Sequence, residues 1–352
     1  MSDALPFPSR PNLEQYRKLA KDLQRASSGP IAEWASRWPG DASRIEQQWR
    51  KFGKSPCTLT EAQFFVARQH GFASWPKFGE HVEALAKASS GVSQFEAAAD
   101  AIVSGNLDLV TTLLRANPEL VRGRSMRDHR SALLHYIAAN GIEDYRQKTP
   151  ENIVEIARLL LDAGADVNAE SDAYGGGSTP LNLTATSLHP ERAGVQNALM
   201  ELLLERGAAI RQGDVKACLA NGRGSAAEFL ASKGAPLSFA EAAGVGRLDV
   251  VRERFDATQM RDALGWACEF SRRDVVAFLV EQSPSREALD CGLHWAAYAG
   301  EPEFVKLLLA HGAPPNEKDG RFNATPLEWA MHAKNEGCTG RFDEVARLLK
   351  PV

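Results

Sequence analysis

The chain has 352 residues, of which 44% are hydrophobic and 24% charged, with a formal net charge of -4. That composition excludes a disordered or membrane-embedded chain, and its slightly acidic balance gives no general attraction to nucleic acid. Five cysteines (Cys57, Cys218, Cys268, Cys291 and Cys338) are scattered without CxxC spacing, which points to a reducing compartment rather than a disulfide framework and implies no zinc site.

The first twenty residues, MSDALPFPSRPNLEQYRKLA, lack the apolar core of a signal peptide, and nowhere do about 18 apolar residues run together to span a bilayer. The cytoplasm is the expected location. Residues 1–90 are predicted to form a small helical module of four short helices. Asn12 caps the first, with Gln15 three residues on, and Leu13, Tyr16, Ala20 and Leu23 fall on one face. A second follows Pro30 and carries Trp34 and Trp38. Thr60 and Gln63 suggest a capping box opening the third, with Gly71 at its C-terminal end. Ser74 caps the fourth, with Pro76 in the first turn and Phe78, Val82 and Leu85 along one face. Ser89–Ser93 (SSGVS) is a plausible linker. The helix, Gly-Phe-Ala turn and helix of residues 60–85 superficially match a helix-turn-helix DNA reader. Its second helix, however, sets Lys77 and Lys87 against Glu80 and Glu83, a poor footprint for phosphate contact. A bundle covering the apolar end of the following array is the simpler reading, and nucleic acid is not an expected partner.

From residue 94 to about 350 a phrase recurs: a small-residue helix, a Gly turn, a second helix with a Leu run, then a Gly-Ala pair. It stands as Leu133–Gly141 (LLHYIAANG) followed by Val154–Ala169, and again as Leu293–Asn316. Turn markers fall at Gly105, Gly141, near Gly194, and at Gly222, Gly246, Ser271, Gly300 and Gly340, giving about eight units of uneven quality. A recurring unit of roughly 25 to 40 residues predicts a solenoid, each unit burying its apolar face only against its neighbours. Thr179-Pro180-Leu181, Thr325-Pro326-Leu327, Leu134-His135 and Leu293-His294 are similar to the T-P-L-H-x-A signature of the ankyrin-repeat family. Over roughly three-quarters of the chain the resemblance implies an all-α ankyrin-repeat solenoid, with His135 and His294 as the family's structural histidines. It also implies an adaptor whose concave groove and hairpin tips bind other proteins. The GFASWP turn (Gly71–Pro76), Arg146–Pro150 and Tyr174–Thr179 further resemble a group of bacterial ankyrin-repeat proteins, implying a bacterial, cytoplasmic protein without adding a mechanism.

The repeats depart from regularity in two ways. Between Gly222 and Ser271 the spacing shortens to about 25, so hairpin loops must be trimmed there. In three units the inter-helix turn is enlarged, at Ile142–Asn152, Thr186–Gly194 and Lys334–Thr339, and insertions into an array map to loops, often on a functional side.

Candidate binding residues fall into three groups. Tyr136, Trp266, Trp295 and Trp329 follow the signature His position, so their rings are expected in a row, either as a recognition strip or as packing between inner helices. Residues just before the turn marker, namely Ala139 and Asn140, Gly244 and Val245, Glu269 and Phe270, Tyr298 and Ala299, open onto the groove in the resembled fold and suit polar recognition with aromatic body. The enlarged loops hold Asp144, Tyr145, Arg146 and Lys148, then Thr186, His189, Glu191 and Arg192, a set able to clamp an anion. Beside them, Tyr174 and three glycines form an elongated hairpin, read as a flexible tip because it lacks the strand and GK[ST] ending of a phosphate loop.

No HExxH, GxSxG or GxGxxG pattern occurs, and the eight histidines show no metal-ligand spacing. The reading is therefore a binding or scaffold protein with no cofactor or metal, its partner another protein. The alternative is a small-molecule binder or enzyme with its site under loops 142–152 and 186–194, beside Tyr136 and Asn140.

Overall fold

In the computed structural model, residues 4–8, 10–38 and 42–350 are described. They form two compact units, residues 1–209 and 210–352. Among the described residues the only β pairing is an isolated antiparallel bridge between Ser171 and Ser178, so the class is all-α.

Unit 1 begins with α1 (Leu13–Ala26), where the Asn12 side chain accepts from the Glu14 amide and Tyr16, Ala20 and Leu23 are buried. Helix α2 (Ala32–Ala35) presents Trp34, whose Nε1 donates to the Leu19 carbonyl at 2.9 Å. A further helix, α3 (Ala42–Phe52), lies outside the sequence expectation. Its period shows only in Ile45, Trp49 and Phe52, set among charged and amide residues.

Helix α4 (Leu59–Gln69) is capped one frame earlier than expected. Thr58 Oγ1 accepts from the Glu61 amide at 3.2 Å, and the Glu61 carboxylate accepts from the Thr58 amide at 2.8 Å. Two overlapping capping frames compete here, and the one with the charged acceptor at the helix N-terminus wins over Thr60 and Gln63. Ser74 caps α5 (Trp75–Leu85), as expected. The module closes on a ring-rich core of Tyr16, Trp34, Trp49, Phe65, Phe72 and Phe78. The supposed linker is a tight turn, since Ser90 caps α6 (Gly91–Ser104) by accepting from the Ser93 amide at 3.0 Å, and α6 packs on α5.

Gly105, at φ 78°, reverses the chain into α7 (Leu107–Ala116). The next repeat differs from its sequence phrase: residues Leu133–Ala138 are a 3₁₀ helix ending in Ala139 at φ 48°. From there the backbone turns at once into buried Ile142, Glu143 and Arg146, which leaves no length for a regular α-helical turn. Helix α8 (Ile153–Asp162) follows. The third repeat comprises α9 (Pro180–Thr186), a short α10 (Leu188–Arg192) inside the enlarged turn, and α11 (Gln196–Glu205). Buried Gln196 ties that turn down, its Nε2 reaching the carbonyls of Thr184, Ala185 and Ser187 at 3.0 to 3.1 Å. His135 takes the structural role the resemblance implies. Its Nδ1 accepts from the Ala132 amide at 3.1 Å, leaving Nε2 to donate to the Ala169 carbonyl at 3.0 Å.

Unit 2 pairs α12 (Asp214–Ala220) with α13 (Gly224–Ser232) and α14 (Phe239–Gly244) with α15 (Leu248–Glu253). Then come α16 (Met260–Glu269) with α17 (Arg273–Val280), α18 (Arg286–Tyr298) with α19 (Pro302–Ala310), and α20 (Pro326–Asn335) with α21 (Phe342–Leu349). Helices α12, α14, α16, α18 and α20 stack successively, and α15, α17, α19 and α21 form the second layer.

Gly105, Gly141, Gly194, Gly222, Gly246, Ser271 and Gly300 all sit in the left-handed region, but the final marker does not: Gly337 takes that role at φ 78°. Gly340 is required for another reason. A Cβ placed there would lie 2.9 Å from the Cα of Gly300, so the two backbones approach too closely for any side chain. Helices α16 and α18 meet in a similar way, since a Cβ on Gly265 would lie 2.9 Å from Cys291 Sγ and one on Gly292 would lie 2.9 Å from Leu264.

Candidate functional site

The expected anion clamp of unit 1 does not assemble. Arg146 is 3% exposed and lies inside the protein, where its guanidinium meets Glu96 at 2.8 Å, Asp100 at 2.7 Å and Glu143 at 3.2 Å. Arg127, fully buried, joins this network with Glu143 at 2.6 Å and Glu96 at 2.9 Å. Burial alone would push Glu143 toward neutrality. Arg127 and then Arg146 outweigh it and hold the carboxyl well below its ordinary range. Burial likewise opposes the charge on both guanidiniums, and the two carboxylates reverse that effect and raise them. Charges this deep must all be matched, so Arg146 is a structural residue whose loss strands two buried carboxylates.

Tyr136 belongs to the same core. It is fully buried, with the Arg146 guanidinium 5.8 Å over its ring, so it cannot meet a ligand. Tyr145 is half-buried and its Oη accepts from Arg127 at 3.2 Å. Lys148 and Arg192 are exposed and His189 is half-buried. Burial and then Arg192 lower the His189 pKa. Three of the candidates do come together: Tyr174 Oη donates to Asn140 Oδ1 at 2.5 Å, and Asn140 Nδ2 donates to Thr186 Oγ1 at 3.1 Å.

Glu96, Arg127, Glu143 and His129 escaped the sequence reading, because they lie far apart along the chain and outside the repeat signature. A faint signal exists in each carboxylate's setting. Glu96 interrupts an apolar run (FEAAADAIV), and Glu143 follows Ile142 directly.

In unit 2 the aromatic series does form a face. Trp295 and Trp329 meet edge-on at 5.0 Å, and Tyr298 lies 5.7 Å from Trp295 and 5.9 Å from Trp329. All three are half-buried. Phe322, 60% exposed, extends the face to 5.6 Å from Trp329. Trp329 is fixed from behind, its Nε1 donating to Asp319 at 3.0 Å. Asp319 also accepts from the amides of Arg321, Phe322 and Ala324, which outweigh the burial and hold its carboxyl at about 2. Trp266, Trp295 and Trp329 line a cleft of about 520 Å³ with Asp262, Glu287 and Asp290 at its edges. Of the other pre-turn positions, Gly244 is closed off, as a Cβ there would lie 2.7 Å from Leu219. Glu269 is half-buried, and burial, only partly offset by Arg223, raises its carboxyl to about 8.

Stacked helix pairs joined by left-handed turns define a repeat solenoid, and a family model described as ankyrin repeats, in three copies, matches residues 218–319 and 264–349. Residues 218–349 are thus similar to the ankyrin-repeat family, whose repeats generally serve as protein–protein interaction modules. Among solved structures, the human ASB11 ankyrin repeat domain is similar at 22% identity, covering 72% of this chain and 98% of that chain with a TM-score of 0.38. No helix among the described residues is long and apolar enough to cross a membrane.

Proposed function

We propose that the protein is a binding module that captures a segment of another protein across the ring face of Trp295, Tyr298 and Trp329. The observation that carries this reading is the mutual edge contact of three half-buried rings on α18 and α20. Each ring braces the others, so a partner meets a surface already ordered and forfeits little side-chain freedom on binding. Trp and Tyr in such settings dominate interface energetics. The adjoining cleft adds apolar depth with a carboxylate rim, and Glu269 and Tyr298 supply the polar groups that orient a bound chain. A reducing cytoplasm suits the five free cysteines.

The test is to tag the protein in its native host, identify the companion by mass spectrometry, and measure its affinity as a purified protein by calorimetry. Trp329→Ala should weaken binding at least about 30-fold, about 2 kcal/mol. The pair Tyr298→Ala with Glu269→Ala should weaken it further. Unchanged affinity in both variants, with native melting curves, contradicts the reading.

A further inference from the structure

Unit 1 holds a cleft of about 590 Å³ between helices α3 and α4 on one side and the loops at 128–129 and 172–174 on the other. Its volume falls in the range of small-molecule sites. Two polar side chains in its wall, Gln69 and His129, are more than nine-tenths buried. Gln69 is 6% exposed and its Oε1 has no hydrogen-bond partner; His129 is 5% exposed. Because His129 Nδ1 accepts from the Ser131 amide at 3.2 Å, the neutral ring carries its proton on Nε2, a donor. That donor faces Glu143 Oε1 at 3.4 Å and helps to lower the Glu143 pKa, so it is turned into the charge network rather than toward the cleft. The wall therefore offers one acceptor, Gln69 Oε1, that folding leaves unused, although buried polar groups are normally paired.

The rim has a different character. Tyr174 is 62% exposed and Phe64 39% exposed, and both line the cleft. Phe64 is backed by Phe52 at 6.1 Å. Tyr174 is held in a left-handed conformation, φ 55°, that a bulky residue rarely adopts, and its Oη is anchored on Asn140. Strain of this kind persists only where surrounding contacts impose it, and here it keeps an aromatic ring standing in solvent. Arg68 at the rim is paired with Asp128, whereas Lys51 has no ion-pair partner among the described residues.

We propose that this cleft binds a small planar heteroaromatic anion. Its ring lies against Tyr174 and Phe64, an N–H or O–H on its edge donates to Gln69 Oε1, and its acidic group faces Lys51. A nucleoside monophosphate and an indole carboxylate share this chemistry. The site is separate from the ring face of unit 2 and does not depend on partner capture there.

The full-length protein is titrated by calorimetry with AMP, GMP, CMP, UMP and indole-3-acetate, and with adenosine and tryptophol as uncharged counterparts. At least one planar anion should bind with a Kd of about 1 mM or tighter, and at least about tenfold better than its uncharged counterpart. Tyr174→Ala should weaken that binding about tenfold, and Lys51→Met should abolish the preference for the anion. Gln69→Leu should lose affinity while the melting temperature stays level or rises, because the variant removes an unpaired buried oxygen; a purely structural Gln69 would lower it. Lys51 and Tyr174 are exposed, so their variants keep the test open should Gln69→Leu fold poorly. No binding of any panel member to the wild-type protein at about 10 mM, or binding unchanged in all three variants, overturns the proposal. Partner capture by unit 2 should be unaffected in these variants, so the two readings fail separately.

Discussion

Unit 1 hides its most reactive-looking side chains and unit 2 displays its own. In unit 1, two guanidiniums and two carboxylates are sealed in the core, where they neutralise one another. In unit 2 the aromatic rings stay half-buried and in contact. Polar density in a sequence therefore marked a structural knot, while an aromatic period marked a surface. The difference follows from how each type is satisfied. Charges removed from water demand matched partners on all sides, which draws several segments together. Indole rings gain from edge contacts with one another and still leave a face open.

The largest effect should come from breaking the knot. Glu143→Ala leaves Arg127, at 0% exposure, and Arg146, at 3%, short of a partner, and should lower stability by about 3 to 5 kcal/mol in denaturant unfolding. A loss under about 1 kcal/mol would mean that Glu96 and Asp100 suffice to neutralise both cations.

Acid should separate the units next. Burial holds His70 at about 3 and His81 and His135 at about 4, against an ordinary value near 6.5 in the unfolded chain. Between those values the unfolded chain binds more protons, so unit 1 loses stability as pH falls from 6.5 to 4. Hydrogen exchange read segment by segment should show residues 60–140 opening before α16 to α20. Glu269 in unit 2 has the opposite sign. Its folded value of about 8 means that the unfolded chain releases the proton first, so its contribution is lost as pH rises from about 4.5 through 8. Glu269→Gln should remove that decline, and a melting curve still falling over this range would assign it to another group. The smallest effect belongs to Arg192→Ala, an exposed position, which should change stability by less than about 0.5 kcal/mol.

Much of the fold was legible because the repeat writes its turns in glycine, and seven markers, one of them Ser271, mark left-handed turns. Gly340 misled because the sequence cannot distinguish a glycine needed for a turn from one needed for close approach. Helix α3 was missed because its apolar positions are few, and Thr58 was passed over because two capping frames overlap. The ring face was legible from the period that places Trp295 and Trp329 at equivalent positions of successive units. The charge network was not, since Glu96, Arg127 and Glu143 meet only through tertiary folding. Arg146 was therefore read as a surface clamp on a loop that the structure draws into the core.

The most direct test of this contrast is denaturant unfolding of Arg146→Ala beside wild type. A loss of about 3 to 5 kcal/mol, with exchange rates in α16 to α20 unchanged, is the predicted result. Wild-type stability in that variant would contradict the account and return Arg146 to the role of a ligand clamp.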